Sequence, residues 1–415
     1  MKLREKINFI FSYIIILYAF IMPIDVSKAY ILTKVMLILW ILSFDYKQIY
    51  SIVKTNKLLQ VILLLSSLIF ISYLWSDIPL ENNTSHQYYA KVNHYMYNYL
   101  RYYLVPLLII ITKLKKEFIP LIISSFLFSM FINEVISYGI SFKLWTTPHG
   151  NPNDPIPFHI NHITYSTFIG FAILLSIYKF SHIKNYFAKA FYFIFMLTMS
   201  INLFMSAGRT GQFALFLTLI ILGVIHIKDK KKLFYSFLLL MIISSSAYFN
   251  MSTFHNRVNQ AYNDVTNIIQ NKNPDTSLGT RIMAFKSIPY LINKNNILFG
   301  VGIGDKASYV SNTLKKDFPY RLQNFDTHGY LHNSYVEMLV SNGLLGLILY
   351  SLIFYYLFKI KMQTPFMTYI SHSLGIYIFF YGLNADLFFF QEVMSLFALF
   401  LSIIIVDSLK DADAI

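Results

Sequence analysis

Within the C-terminal third the chain reads Asp326-Thr-His328-Gly-Tyr330-Leu-His332-Asn333-Ser-Tyr-Val-Glu337-Met-Leu-Val-Ser-Asn-Gly343-Leu-Leu-Gly346. Two imidazoles stand in a polar loop directly before a long apolar run. An imidazole titrates near neutrality and can take a proton from a hydroxyl. At a lipid–water boundary it is placed to act on a lipid-anchored substrate. Arg209, in the tight turn Ser206-Ala-Gly-Arg-Thr-Gly211, and Arg281, ending Thr276-Ser-Leu-Gly-Thr-Arg281, could serve the same face. A guanidinium offers a planar fork that suits phosphate oxygens. Thr280 is the expected N-cap of a following helix, which would set Arg281 at a helix N-terminus already favourable to anions. Each residue also has an ordinary reading: a solvated or snorkelling arginine, or a histidine that caps a helix. Together on one face they point to an enzyme that handles an anionic, lipid-anchored donor.

The elements that must hold these residues follow from composition. The chain is 56% hydrophobic, 18% aromatic and 13% charged, against roughly 25% charged in soluble domains. Apolar runs of about 17 residues or more recur, each long enough to cross a hydrocarbon core. This is an all-α polytopic membrane protein, with about twelve transmembrane helices expected near 7–24, 29–45, 58–75, 95–112, 118–138, 162–179, 189–207, 212–228, 233–250, 335–358, 365–383 and 388–407. The first run has no small-residue cleavage site. With the N-terminus inside, alternate loops carry Lys47/Lys54/Lys57, Lys113/Lys115/Lys116, Lys179/Lys184/Lys189, Lys228/Lys230/Lys231/Lys232 and Lys359/Lys361. That is the positive-inside pattern. Lys91, Lys143 and Arg209 are exceptions on the other face, with Arg101 near the outer end of the fourth span. The net charge of +14 is therefore mostly topogenic and scattered over short loops, which argues against nucleic acid as a partner. There is no cysteine, so disulfides and thiolate metal sites are excluded.

One connection is long. The chain divides into 1–250, holding the first nine spans, an extracytoplasmic helical loop over 251–333, and 334–415 with the last three spans and a short tail. Within the loop, Val258, Ala261, Tyr262, Val265 and Ile268 recur at helical spacing, as do Ile282, Phe285, Ile288 and Ile292. Two amphipathic helices lying against the membrane domain are expected.

Gly208-Arg209-Thr210, the stretch from Arg257 to Asp264 followed by Thr276-Ser-Leu-Gly-Thr-Arg281, and His332-Asn-Ser-Tyr-Val-Glu337 with Asn342-Gly-Leu-Leu-Gly346 resemble the O-antigen ligase family. Its superfamily includes O-antigen polymerases and some bacterial oligosaccharyltransferases. Leu74-Trp-Ser76 and Pro157-Phe-His159 to His162-Ile-Thr-Tyr165 are similar to superfamily segments, and the expected topology agrees over the whole chain. Ligases often carry a histidine two residues before the second imidazole; here that position is Tyr330, and His328 stands four residues before His332. The resemblance implies transfer of a glycan from undecaprenyl pyrophosphate to lipid A–core, at the periplasmic side of a bacterial inner membrane. Arg209 and Arg281 would then bind pyrophosphate, and His332 would be the general base. His328, Asn333 and Asp386 would border the substrates, with Asp386 orienting the imidazole or the acceptor, or else simply capping a helix. No cofactor is implied. A polymerase of the same superfamily shares these motifs, and a non-enzymatic transporter of lipid-linked glycans would also need cations for pyrophosphate.

Other features carry less. His328 and His332, with His159 and His162, could ligate a metal, but metal-independent chemistry is expected. Gly300-Val-Gly302-Ile-Gly304 lacks the strand–helix surroundings of a nucleotide loop and is expected to be a flexible bend. Glu134, inside the fifth span, should face the bundle interior.

Overall fold

The computed structural model describes residues 2–76, 95–269, 274–304, 306–320 and 329–409. Sixteen α-helices carry these residues. They are α1 (Lys2–Ile21), α2 (Val26–Leu42), α3 (Tyr46–Thr55), α4 (Lys57–Ile71), α5 (Val105–Lys113), α6 (Ile119–Ser141), α7 (His162–His182) and α8 (Tyr186–Met205). There follow α9 (Arg209–His226), α10 (Lys230–Asn250), α11 (Ser252–Ile269), α12 (Ser277–Leu291), α13 (Lys306–Asp317), α14 (Ser334–Lys359), α15 (Pro365–Gly382) and α16 (Gln391–Ser408). A wide π turn, Tyr99–Leu104, leads into α5. Among the described residues there is no strand, only an isolated bridge between Asn151 and Asp154. Lipid offers no partner to a backbone N–H, so a spanning segment must satisfy its own, and the helix does.

Helix lies on each of the twelve segments expected from hydropathy. Eight described helices are long and apolar enough to cross a membrane by themselves. The count rises to nine if α2 and α3, which meet at 109°, form one bent span. Asx and Thr side chains start many of them: Asp25, Asn56, Asn161, Asn185, Asp229 and Thr364 each accept an N–H from the first turn. The centre of the bundle is α16, buried without interruption from Val393 to Asp407, with α7 and α15 beside it.

Ties between loops keep to one end of the bundle or the other, as alternating spans require. At the lysine-rich end, Lys113 Nζ donates to Ser43 O (2.9 Å), Lys116 Nζ to Leu409 O (2.6 Å) and Asn56 Nδ2 to Ser408 Oγ (3.0 Å). At the opposite end the Ala207 N–H donates to Asp154 Oδ1 (2.8 Å) and Thr253 Oγ1 to Asn153 O (3.0 Å).

The long connection between α10 and α14 contains α11, α12 and α13. Its two expected helices form, and Ile268 of the first stripe with Ile282, Ile288 and Ile292 of the second pack, partly buried, against the cluster of Met283, Ala284, Leu291, Val310 and Leu314. On α12 the buried face is Thr280, Met283, Ala284, Ser287 and Leu291, while Phe285 is exposed. On α11 no residue is buried, and Val258, Tyr262 and Val265 remain exposed.

The glycine-rich segment 300–304 is not a flexible bend. The α14 helix breaks at Gly343 (φ 65°, ψ −166°), which strands backbone groups on both sides. The Leu344 and Leu345 N–H groups donate to Ile297 O (2.8 Å) and Leu298 O (3.2 Å). In return the Val301 and Gly302 N–H groups donate to Val340 O (3.0 Å) and Ser341 O (2.9 Å). The segment therefore completes a broken helix, where an unpaired amide would be costly. A Cβ on Gly343 would lie 2.3 Å from the Leu298 carbonyl carbon, and one on Gly300 2.4 Å from that of Ser341. Gly304 N–H then reaches Ser76 Oγ (3.0 Å), and Ile303 N–H reaches Ser72 Oγ (3.2 Å), anchoring the loop to the end of α4.

Glu134 does face the bundle interior: it is buried, and its Oε1 has no hydrogen-bond partner.

Candidate active site

The end of the bundle away from the lysines collects the polar residues that sequence singles out. Arg209 opens α9 directly after the α8–α9 turn. That turn presses on α7, since a Cβ on Gly208 would meet His162 O at 2.3 Å and one on Gly211 the Ser166 carbonyl carbon at 2.3 Å. Both glycines are thus needed to bring Arg209 down onto the site. Its Nη1 lies 3.6 Å from Asp264 Oδ2 on α11, and its Nη2 donates to Gln260 Oε1 (3.5 Å). Gln260 also accepts from Arg257 Nη1 at 3.0 Å, so one amide oxygen bridges two guanidinium groups.

Arg281 approaches from α12. The cap of this helix is Thr276, not Thr280: Thr276 Oγ1 accepts the Gly279 N–H at 3.0 Å. Ser277, Leu278 and Gly279 are compatible with helix, so the first turn forms earlier and Arg281 sits a full turn inside. There its Nη1 donates to Ser277 Oγ (2.8 Å) and to Ser277 O, and its Nε to Asn384 O (3.0 Å) in the α15–α16 turn. Asp264 Oδ2 receives the Leu278 N–H at 3.2 Å, which ties α11 to the start of α12. Burial, and then repulsion from Arg209, lowers the proton affinity of Arg281. Three arginines thus gather with Asp264 as the only carboxylate bonded to any of them among the described residues.

His332 forms the other side. Its backbone is left-handed (φ 52°), a strained state for a residue with a side chain. Glu337 enforces it: Oε1 takes the Leu331 N–H at 2.7 Å, and Oε2 pairs with Lys306 Nζ of α13 at 2.5 Å. The His332 ring packs edge-on against Tyr330, centroids 4.1 Å apart, and its buried Nε2 has no hydrogen-bond partner. Burial, with the charge of Arg281 second, pulls the imidazole pKa down to about 4. It is therefore neutral at pH 7 and free to accept a proton.

Asp386 is buried at the base of this side. Its N–H donates to Tyr330 Oη (3.1 Å), and its Oδ1 accepts the Phe388 N–H (3.1 Å). No described hydrogen bond joins it to His332; it reaches the imidazole through Tyr330. Burial first, then repulsion from Glu337, pushes its carboxyl up to about 7. Asn333 is committed to the fold: Oδ1 caps α14 by accepting the Tyr335 and Val336 N–H groups (3.0 Å each), and Nδ2 donates to Leu383 O (3.1 Å). Ser334 Oγ staples the same turn by donating to Ala385 O (3.0 Å) and accepting the Leu387 N–H (2.8 Å). His328 lies outside the described residues.

Arg209, Arg281, His332 and Asp386 are thus brought to one end of the bundle. Arg257, Gln260 and Asp264 carry no signal of their own in the sequence, yet their i, i+3, i+7 spacing puts them on one helix face. Nothing in the sequence marked Lys306 as the partner of Glu337. Among the described residues no three His, Asp or Glu side chains gather as metal ligands.

No curated protein matches the chain. Residues 194–351 match the model of the family described as O-antigen ligase. The matched stretch runs from within α8 to within α14 and holds Arg209, Arg257, Arg281 and His332. Over that stretch the chain is similar to the O-antigen ligase family, whose members are glycosyltransferase-like membrane enzymes of the ligase and polymerase superfamily.

Proposed function

We propose that the protein is an O-antigen ligase that moves a glycan from undecaprenyl pyrophosphate to lipid A–core at the periplasmic face of a bacterial inner membrane. The observation that carries this reading is the meeting of three arginines, short of carboxylates, with a neutral imidazole whose Nε2 has no partner. An acceptor sugar hydroxyl attacks the anomeric carbon of the donor, and the bond from that carbon to the phosphate oxygen breaks. His332 Nε2 takes the hydroxyl proton. The pyrophosphate leaves with the electron pair and gains negative charge, which Arg209 and Arg281 stabilise more strongly in the transition state than in the bound donor. Asp264 holds Arg209, and Glu337 with Lys306 holds the loop that presents His332. Against transport, these groups lie at one end of the bundle, whereas a carrier would concentrate them near the midplane.

Ligase and polymerase differ only in acceptor, so the deciding experiment is the lipopolysaccharide profile of a deletion strain. A ligase deletion leaves core-only lipopolysaccharide while polymer accumulates on the lipid carrier. Core capped by a single repeat would assign the protein to the polymerases instead.

A further inference from the structure

Arg101 takes no part in the site above. It lies in the π turn Tyr99–Leu104, within the run of helix leading into α5, and wide turns of this kind recur at functional positions. Its guanidinium sits 3.4 Å from the Tyr97 ring centroid and 4.8 Å from that of Tyr30 on α2. Lys34 Nζ lies 4.7 Å from the same Tyr30 ring. Two cations therefore share one half-buried aromatic ring, with Lys34 itself exposed. Lys34 is eight residues along α2, about 12 Å below its start at ~1.5 Å per residue. Among the described residues no carboxylate pairs with either cation. Among the described residues, the acidic groups that act on the neighbouring Tyr102 are engaged: Asp25 caps α2 and meets Lys28 at 3.5 Å, and Glu392 Oε2 accepts from Thr164 Oγ1 at 3.5 Å. The buried Arg101 Nε has no hydrogen-bond partner. Stacking on tyrosine attracts a guanidinium but leaves its in-plane donors unused. Charged groups at this depth call for a partner.

We infer that Arg101, Lys34 and Tyr30 form a second anion site, separate from the arginine cluster, for the phosphate monoester of a lipid acceptor. Both sites belong to the same end of the bundle, because α2 begins at the end where α9 begins. Two adjacent cations suit a monoester, which carries about −1.5 to −2 near pH 7. An ordinary phospholipid diester carries a single charge and would use only one of the two cations. The site would hold the acceptor by its anchor while its sugar reaches His332; this use rests on the transfer reading, whereas the binding itself does not.

The test uses the full chain in phosphatidylcholine nanodiscs, with retained lipid counted by native mass spectrometry. The probes are bis-phosphorylated lipid A, its dephosphorylated form and phosphatidylglycerol. Selective retention of the phosphorylated form is expected, falling about tenfold in Arg101→Gln and in the exposed Lys34→Ala, each removing a charged hydrogen bond. Lys184→Ala, at an exposed lysine of the opposite end of the bundle, should retain it as the unaltered chain does. Equal retention of phosphatidylglycerol, or retention unchanged in both variants, would overturn the site and leave two snorkelling side chains. Retention as expected, with no glycan transferred when lipid A–core takes the place of lipid A, would sink the ligase reading and leave the site standing.

Discussion

The arginine side and the imidazole side of the candidate site are built to different tolerances. Arg209 and Arg257 are partly exposed, on long side chains bridged by one amide oxygen. His332 is half-buried on a left-handed backbone, pinned through Glu337, Lys306 and the stapled α15–α16 turn. Coulomb attraction falls off slowly with distance, so charge can be gathered by mobile side chains. Proton transfer needs donor and acceptor within hydrogen-bond reach, so the base must be held by the fold. The contrast predicts larger losses from changes on the imidazole side than on the arginine side.

The harshest trial of that contrast is His332→Ala. Transfer should fall by about 10²–10⁴-fold, the range for general-base catalysis, with the protein still inserted and monodisperse. Near-normal turnover with purified donor and acceptor would remove His332 from the chemistry. The support of the imidazole side can be broken next. Lys306→Ala leaves Glu337 buried without its counter-ion and should cost about 3 kcal/mol of stability, read as a lower melting temperature. An unchanged melting curve would mean that the pair does not hold the loop.

On the arginine side the effects should be smaller and tied to the donor. Arg209→Lys and Arg281→Lys keep the charge but lose the fork, so each should raise the donor KM by about tenfold, with Arg→Ala worse. A rise confined to the acceptor KM would contradict pyrophosphate binding.

The mildest trial is pH. A base with its pKa lowered to about 4 is unprotonated throughout the neutral range, so kcat/KM should lose its base limb only as the pH falls towards 4. The same shift bears on stability: between the ordinary histidine value near 6.5 and about 4 the unfolded chain binds the extra proton. Stability from His332 is therefore full above 6.5 and is lost as pH falls through that window. Asp386, pushed up to about 7, should add a second, few-fold rise as it ionises through neutrality, because an anion beside Tyr330 makes the imidazole more basic. Asp386→Asn should flatten that step and leave the limb near 4; a step that persists belongs to another group.

The sequence by itself determined the helices and where they lie. A hydrocarbon core leaves a spanning chain little alternative to helix, so hydropathy marked helix at all twelve segments, of which eight described helices, or nine with the bent pair, are long and apolar enough to cross by themselves. It also named Arg209, Arg281 and His332, because an arginine in a tight turn and an imidazole beside an apolar run are conspicuous in a chain this poor in charge. Tertiary structure decided the rest. Thr276 rather than Thr280 caps α12, since both hydroxyls qualify locally and only the packed helix selects one. The glycines at 300–304 looked like slack chain, because the broken α14 that they complete lies about forty residues away. Glu337 and Lys306 are 31 positions apart, and Arg209 and Gln260 51. Such pairings leave no local pattern, for they follow from the shape of the assembled bundle rather than from the period of a helix.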